Sequence, residues 1–336
     1  MKRYTLLYIL TVLLASCNHK ELCYHHPHTA RVRVDVDWSH FPEEEPTGMT
    51  VMLFPDGGGK PMTVLSNTLS HVYVNPEAGL YHTLSFNQST SEFGSFTFRD
   101  MESWADAEVA SAIVASRWYT GRSDGERVAT EPEWLGTDNE TDVRVTEEMV
   151  EATGSHHGTA ATDTTDYVIS KLYPRNVIWT THVKVHIPGG AYNLRSARAA
   201  LGGMAEGVKF ATLRRSDDVV THLMEEWSLS IDKADPTRGT LTSSFKCFGL
   251  PGSHGAKAEE NHFLLSMLLV DGKTQVDVPF EVGHLIKETK DGTLNLYLEL
   301  TLTDPLPDVQ PEGGSGSGFD ATVEDWGDEI EHEIEM

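Results

Sequence analysis

The chain is poor in the features that announce an enzyme, a nucleic-acid binder or a membrane-spanning protein. Its longest apolar run is Tyr4 to Ala15. Twelve helical residues rise about 18 Å, against a bilayer core of about 30 Å, so no spanning helix is expected. Basic side chains are scarce, with 26 Lys and Arg against 51 Asp and Glu and a formal net charge of −25. That balance excludes nucleic acid, whose binding needs basic patches to displace counterions, and electrostatic attachment to anionic lipid. Catalytic signatures are missing too. There is no Gly-x-Ser-x-Gly elbow, "GGSGSG" lacks its spacing, and no HExxH occurs. Gly272-Lys273-Thr274 ends like a phosphate loop, but Met267 stands where its first glycine belongs. No enzyme activity and no cofactor are expected.

The start of the chain is informative. Lys2 and Arg3 precede the short apolar run, and small residues follow it, which is the pattern of a secretory signal. Leu14-Ala15-Ser16-Cys17 resembles the bacterial lipobox. The resemblance implies a diacylglyceryl group on the Cys17 thiol and cleavage before Cys17. Residues 1–16 are then a signal peptide and 17–29 a lipid-anchored tether. Two or three acyl chains on one residue hold a protein firmly on a membrane. Loss of Lys2 and Arg3 leaves 24 basic against 51 acidic side chains, or −27. Cys23 and Cys247 remain. They could pair in an oxidising envelope, or Cys247, which shares strand parity with Phe245, could be a buried thiol.

Almost every regular segment has period two. In "ARVRVDVDW", Val32, Val34, Val36 and Trp38 share one face and Arg31, Arg33, Asp35 and Asp37 the other, a half-buried strand. "GMTVMLFP", the "DGGGKP" turn, "HVYV", the Pro76–Gly79 turn, "LYHTLSF" and "SFTF" follow. Residues 100–118, rich in Ala and Glu, are read as loop and strand. Residues 120–166 are polar and loop-heavy. A second series begins near residue 168. Trp179, Thr181, Val183, Val185 and Ile187 alternate with His182, Lys184 and His186, a short helix is expected near Ser196–Ala205, and five further strands follow to "TLNLYLELTL". Asp271-Gly272 marks a hairpin turn. Many short strands with frequent turns specify an all-β chain of sandwich domains, 30–167 and 168–304. Residues 305–318 form a Pro/Gly/Ser linker. In the acidic segment 319–336, Ile330, His332, Ile334 and Met336 alternate with acids, so a terminal strand is expected, closing its own domain with Trp326 at least partly buried.

"ELCYHHPHTARVRVDVDW", "GMTVMLFPDGGGKP", "NPEAGLYHTLSFN" and "GFDATVEDWGDEIEHEIEM" resemble the fimbrillin-type lipoproteins of Bacteroidales, in a branch near the fimbrial anchor subunits. The resemblance covers nearly the whole mature chain. It implies two tandem transthyretin-like β-sandwich domains behind a lipoprotein signal peptide, a lipid on Cys17, an outer-membrane and surface-exposed location, and fimbrial subunits as partners. Polymerising pilins of that superfamily lose their first strand to an arginine-directed protease. Here Arg31 and Arg33 lie within the first strand, which favours an uncut anchor or terminal subunit.

Weaker constellations have bland alternatives. His25, His26 and His28, with His19 and Cys23 near, could bind zinc, but adjacent histidines before Pro27 diverge, so an extended polar linker is the simpler reading. His156-His157 sits in a Gly/Thr loop. Asp138, Asn139, Glu140 and Asp142 crowd one segment without the spaced loop calcium needs. No metal is expected. Trp38 and Trp179 have core parity. Trp104, Trp118 and Trp134 flank loops; exposed together they could stack on sugar rings, which makes a glycan-binding surface lipoprotein the alternative to an adhesion subunit.

Overall fold

The computed structural model describes residues 28–121, 125–155, 167–257, 260–289 and 292–311. Cys17, Cys23, His19, His25, His26, His156, His157 and the segment 319–336 with Trp326 lie outside the described residues. Within them the chain is built from β-strands and a single α-helix, Glu147–Ser155. The all-β expectation holds.

The N-terminal sandwich opposes two sheets. One runs in the order Tyr167–Leu172, Val32–Val36, His71–Val74; the other Arg175–Asn176, Gly136–Val145, Gly79–Asn87, Met49–Pro55, Met62–Ser66. Val32, Val34 and Val36 point inward as their alternation requires, against Val51, Leu53, Val72, Val74, Val143 and Leu172. Tyr167–Leu172 pairs in parallel with Val32–Val36. The divide read at residue 167/168 therefore falls at a strand of the N-terminal sandwich. A strand's sheet is chosen by whichever edge it can reach, which local polarity does not encode.

The C-terminal sandwich opposes the sheet Ser228–Ile231, Gly239–Cys247, Trp179–Ile187, Asn295–Thr301, Lys287–Glu288 to a second sheet of six strands. That second sheet runs Gln275–Glu281, His262–Leu269, Leu194–Ala205, Val219–Met224, Val128–Ala129, Ile113–Val114. Leu194–Ala205 corrects the helix expected near Ser196–Ala205. It is a central strand, bonded to His262–Leu269 on one side and Val219–Met224 on the other. Ala199, Ala200 and Leu201 are fully buried there. Two neighbouring strands override the helical propensity of an alanine-rich stretch. The ladder breaks between Leu201 and Met204, where Gly203 takes a φ of 77° that side-chain-bearing residues rarely adopt. The hairpin at Asp271-Gly272 forms as read, with the Asp271 carboxylate accepting from the backbone of Lys273 and Thr274.

The two halves are joined by shared sheets. Val128–Ala129, from the first half, pairs with Val219–Met224. A further sheet, Arg214–Arg215, Gly207–Lys209, Glu108–Ser111, Phe96–Arg99, joins two strands of the second half to two of the first, through the pairing of Gly207–Lys209 with Glu108–Ser111. It covers the outer face of the five-stranded N-terminal sheet, enclosing Phe54, Leu84, Phe86, Phe96, Val109, Phe210 and Phe248. Phe86 stacks on Phe98 at 5.4 Å and on Phe210 at 5.7 Å, so the cluster spans the junction. Glu206, fully buried, receives Arg99 and Arg127 from the first half at 2.5 and 2.7 Å. Burial pushes its carboxyl up, but the two guanidiniums more than offset that and hold it below its usual range.

Candidate functional site

The outer face of the C-terminal sheet follows from strand parity. In Trp179–Ile187 the alternate residues Val183, Val185 and Ile187 are buried, which turns His182, Lys184 and His186 outward. In Asn295–Thr301, Leu296, Leu298 and Leu300 are buried and Tyr297 and Glu299 face out. The registers His182↔Tyr297 and His182↔Ser244 set these side chains in rows. His182, Lys184, Ser244, Tyr297 and Glu299, together with Trp227, Glu225, Glu226 and Thr242, line an open cleft of about 790 Å³.

Tyr297 is 47% exposed, and its ring lies on His182 at 5.0 Å with 20° between planes. His182 Nε2 meets Asn295 Oδ1 at 3.1 Å, which fixes the imidazole under the phenol. His186 Nε2 reaches Glu299 Oε1 at 2.8 Å. The hydrogen bond from His186, and then the charge of Lys184, hold the Glu299 carboxyl below its usual range. Trp227 is pinned by its Nε1–H donating to the Met224 carbonyl at 3.2 Å. The cleft therefore offers one fixed aromatic face ringed by hydroxyl, carboxylate, imidazole and ammonium groups. That set can bind a polar ligand with an apolar face.

The two groups displaced furthest from ordinary acidity lie elsewhere, in the core. Burial pushes the Cys247 thiol up to about 11, against the Thr181 hydroxyl at 3.4 Å and the Gly249 N–H at 3.3 Å. The thiol is thus held protonated and fully enclosed, as its parity with Phe245 suggested. Burial holds the His222 imidazole down at about 4, and neither ring nitrogen has a hydrogen-bond partner. Its ring packs 5.4 Å from Phe245 and serves as core.

The other sequence candidates are not brought together. Asp138 accepts from the Tyr173 N–H at 2.7 Å, Asn139 donates to the Phe210 carbonyl at 2.7 Å, and Glu140 accepts from the Ser170 hydroxyl at 2.6 Å. Each is engaged along its strand, and no cluster of potential metal ligands occurs among the described residues. His28 is exposed. Trp179 is buried as read; Trp38 is half-buried, its Nε1–H donating to the Leu69 carbonyl at 3.1 Å. Trp104 stacks on His82 at 4.9 Å, Trp118 lies under Arg198 at 4.5 Å, and Trp134 under Lys246 at 5.0 Å. All three are half-buried against different neighbours and build no common platform. The exposed ring in the cleft is instead Tyr297. Its signal was an aromatic at the outward parity of "TLNLYLELTL", where alternation demands polar residues.

Stacked sheets with open faces and edges define a β-sandwich protein. A candidate adhesin from Bacteroides ovatus shares this fold at 14% identity, with 87% of this chain and 99% of that chain covered and a TM-score of 0.55. A candidate polysaccharide-binding protein from Bacteroides thetaiotaomicron aligns over 81% of this chain and 92% of its own, at 12% identity and a TM-score of 0.46. The fimbrial anchor protein Mfa2 from Porphyromonas gingivalis aligns over 81% and 90%, at 10% identity and 0.45. Of these three, the first is the one whose score establishes a common fold. No curated protein matches the sequence. The chain belongs to the family described as "Domain of unknown function (DUF5119)", whose model matches residues 16–225.

Proposed function

We propose that this protein is a non-catalytic, surface-exposed lipoprotein of the outer membrane that serves as a fimbrial anchor or accessory adhesion subunit. The observation that carries the reading is the fold shared with the Bacteroides ovatus candidate adhesin along 99% of that protein's length. The lipobox supports attachment through Cys17, with fimbrial subunits as partners. An uncut role is supported by Val32–Val36. It is the central strand of its sheet, bonded on both sides, so its removal would open the N-terminal core. The test is purification of the native protein from membranes, alongside Cys17→Ala. The reading expects a fatty-acid analogue to label the native protein only, and pilus-type subunits to co-purify with it. Label persisting on the variant, or a native protein that purifies alone, overturns it.

A second reading, glycan binding, is favoured by the Tyr297–His182 stack in the open cleft. It expects saccharide binding on a glycan array that is lost in Tyr297→Ala; binding that survives that change excludes this cleft.

A further inference from the structure

The described chain leaves the C-terminal sandwich beside an open sheet edge. The Leu306 N–H donates to the Gly189 carbonyl at 2.9 Å, Asn193 Nδ2 donates to the Pro307 carbonyl at 2.9 Å, and Val309 packs on the core. On the other side of the same turn, the Ala191 N–H donates to the Thr237 carbonyl at 2.8 Å. Gly239 has no room for a side chain, because a Cβ there would meet Ala191 Cβ at 2.8 Å and Leu229 Cδ1 at 3.1 Å. Through Gly190, Ala191 and Gly239, the exit is thus a close neighbour of the Ile231 end of Ser228–Ile231.

That strand borders its sheet. Gly239–Cys247 lies on one side and no strand lies on the other among the described residues. Leu229 pairs with Leu241 and Ile231 with Gly239, so both apolar side chains have inward parity. They are nevertheless 37% and 38% exposed, whereas Leu241 is 1% exposed. Inward-pointing leucine and isoleucine stay this wet at the rim of a sandwich when nothing extends the sheet past them.

We propose that residues 319–336 of the same chain add to this edge as a further strand, running from Ile231 towards Ser228. Ile330 and Ile334 alternate with Glu329, Glu331, Glu333 and Glu335. Placed beside the edge with Ile330 opposite Ile231, the antiparallel register sets His332 beside Leu229 and Ile334 beside Trp227 on the inward face, and the glutamates turn to solvent. Reach is ample. About 18 residues separate Pro311 from Ile330, up to about 59 Å when extended, and a four-residue edge is about 13 Å long. An intramolecular tether of this length gives an effective concentration near the millimolar range. Charge and backbone choose between the two long flanks of the sandwich. The opposite edge, Gln275–Glu281, carries Pro279, which has no N–H to donate, and turns Asp277 and Glu281 outward against an acidic strand. Ser228–Ile231 bears no charge of its own. Asp232, Lys233 and the Asp235–Arg238 ion pair lie just past its Ile231 end, and Glu225 and Glu226 just before Ser228.

Hydrogen exchange on the full chain tests this directly, alongside a chain ending at residue 318 and the double variant Ile330→Lys, Ile334→Lys. The outward amides of Ser228–Ile231 are expected to be protected in the full chain and to exchange at least about tenfold faster in both altered chains. Amides of Trp179–Ile187 stay slow in all three, which certifies the fold. Equal exchange of the edge in all three proteins overturns the proposal. So does protection that appears only as light scattering reports dimers with rising concentration, because the strand then belongs to a second copy.

Discussion

Met49–Pro55 and Trp179–Ile187 are both interior strands of five-stranded sheets, yet their burial differs in kind. The first is buried at six consecutive positions; the second alternates buried with half-buried or exposed residues along its length. Trp179–Ile187 packs one face on the C-terminal core and gives the other to solvent. Met49–Pro55 packs on the N-terminal core through Val51 and Leu53, and on the junction cluster through Met52 and Phe54. The molecule is layered three deep at its N-terminal sheet and two deep at its C-terminal one. Stability should concentrate in the first region and binding in the second.

The strongest challenge to that contrast is Phe86→Ala, which removes a fully buried ring from the junction. It should cost about 3–5 kcal/mol, read as a lower midpoint in urea unfolding. A loss under about 1 kcal/mol would mean the third layer is not a packed core. Next is acid. His222 titrates near 6.5 when unfolded but is held at about 4 in the fold. The unfolded chain therefore binds more protons between those values, and stability falls as pH drops from 6.5 towards 4. The loss reaches about 3 kcal/mol at pH 4, and His222→Leu should flatten that part of the profile. Glu206→Gln comes third, at about 1.5–3 kcal/mol, because Arg99 and Arg127 are partly exposed and can rehydrate. The same variant probes how the halves are joined. A chain cut at a protease site engineered within 156–166 should remain one particle on size exclusion, and its two fragments should separate at lower urea when the Glu206→Gln change is present. Two fragments that part without denaturant would restore two independent domains. Tyr297→Ala is expected to change stability by under about 0.5 kcal/mol, since its ring lies on the solvated face.

Much of this was legible in the chain. Val32, Val34 and Val36 announced their inward face by strict alternation, as did Val183, Val185 and Ile187, because a one-sided strand writes its burial with period two. The turn at Asp271-Gly272 was equally plain, since the backbone there needs the left-handed freedom of Gly272, whose φ is 68°. Leu194–Ala205 misled because alanine and arginine favour helix until two flanking strands claim their backbone. The partner of Tyr167–Leu172 was not legible, because the strand returns to pair with Val32–Val36, at the far end of the first half. Of the candidate cleft, the outward parity of Tyr297 and His182 was readable, but their stacking was not, since it depends on which strands become neighbours.

By itself the sequence determined the all-β class, the faces of its alternating strands and the acidic balance of the chain, because these depend on local periodicity and composition. Only the tertiary structure decided that Val128–Ala129 and Glu108–Ser111 would pair with strands of the other half, that Arg99 and Arg127 would converge on Glu206, and that Leu229 and Ile231 would be left at an uncovered rim. Those outcomes depend on contacts between residues far apart in the chain, and backbone hydrogen bonds, which make most of them, carry no side-chain signature to be read in advance.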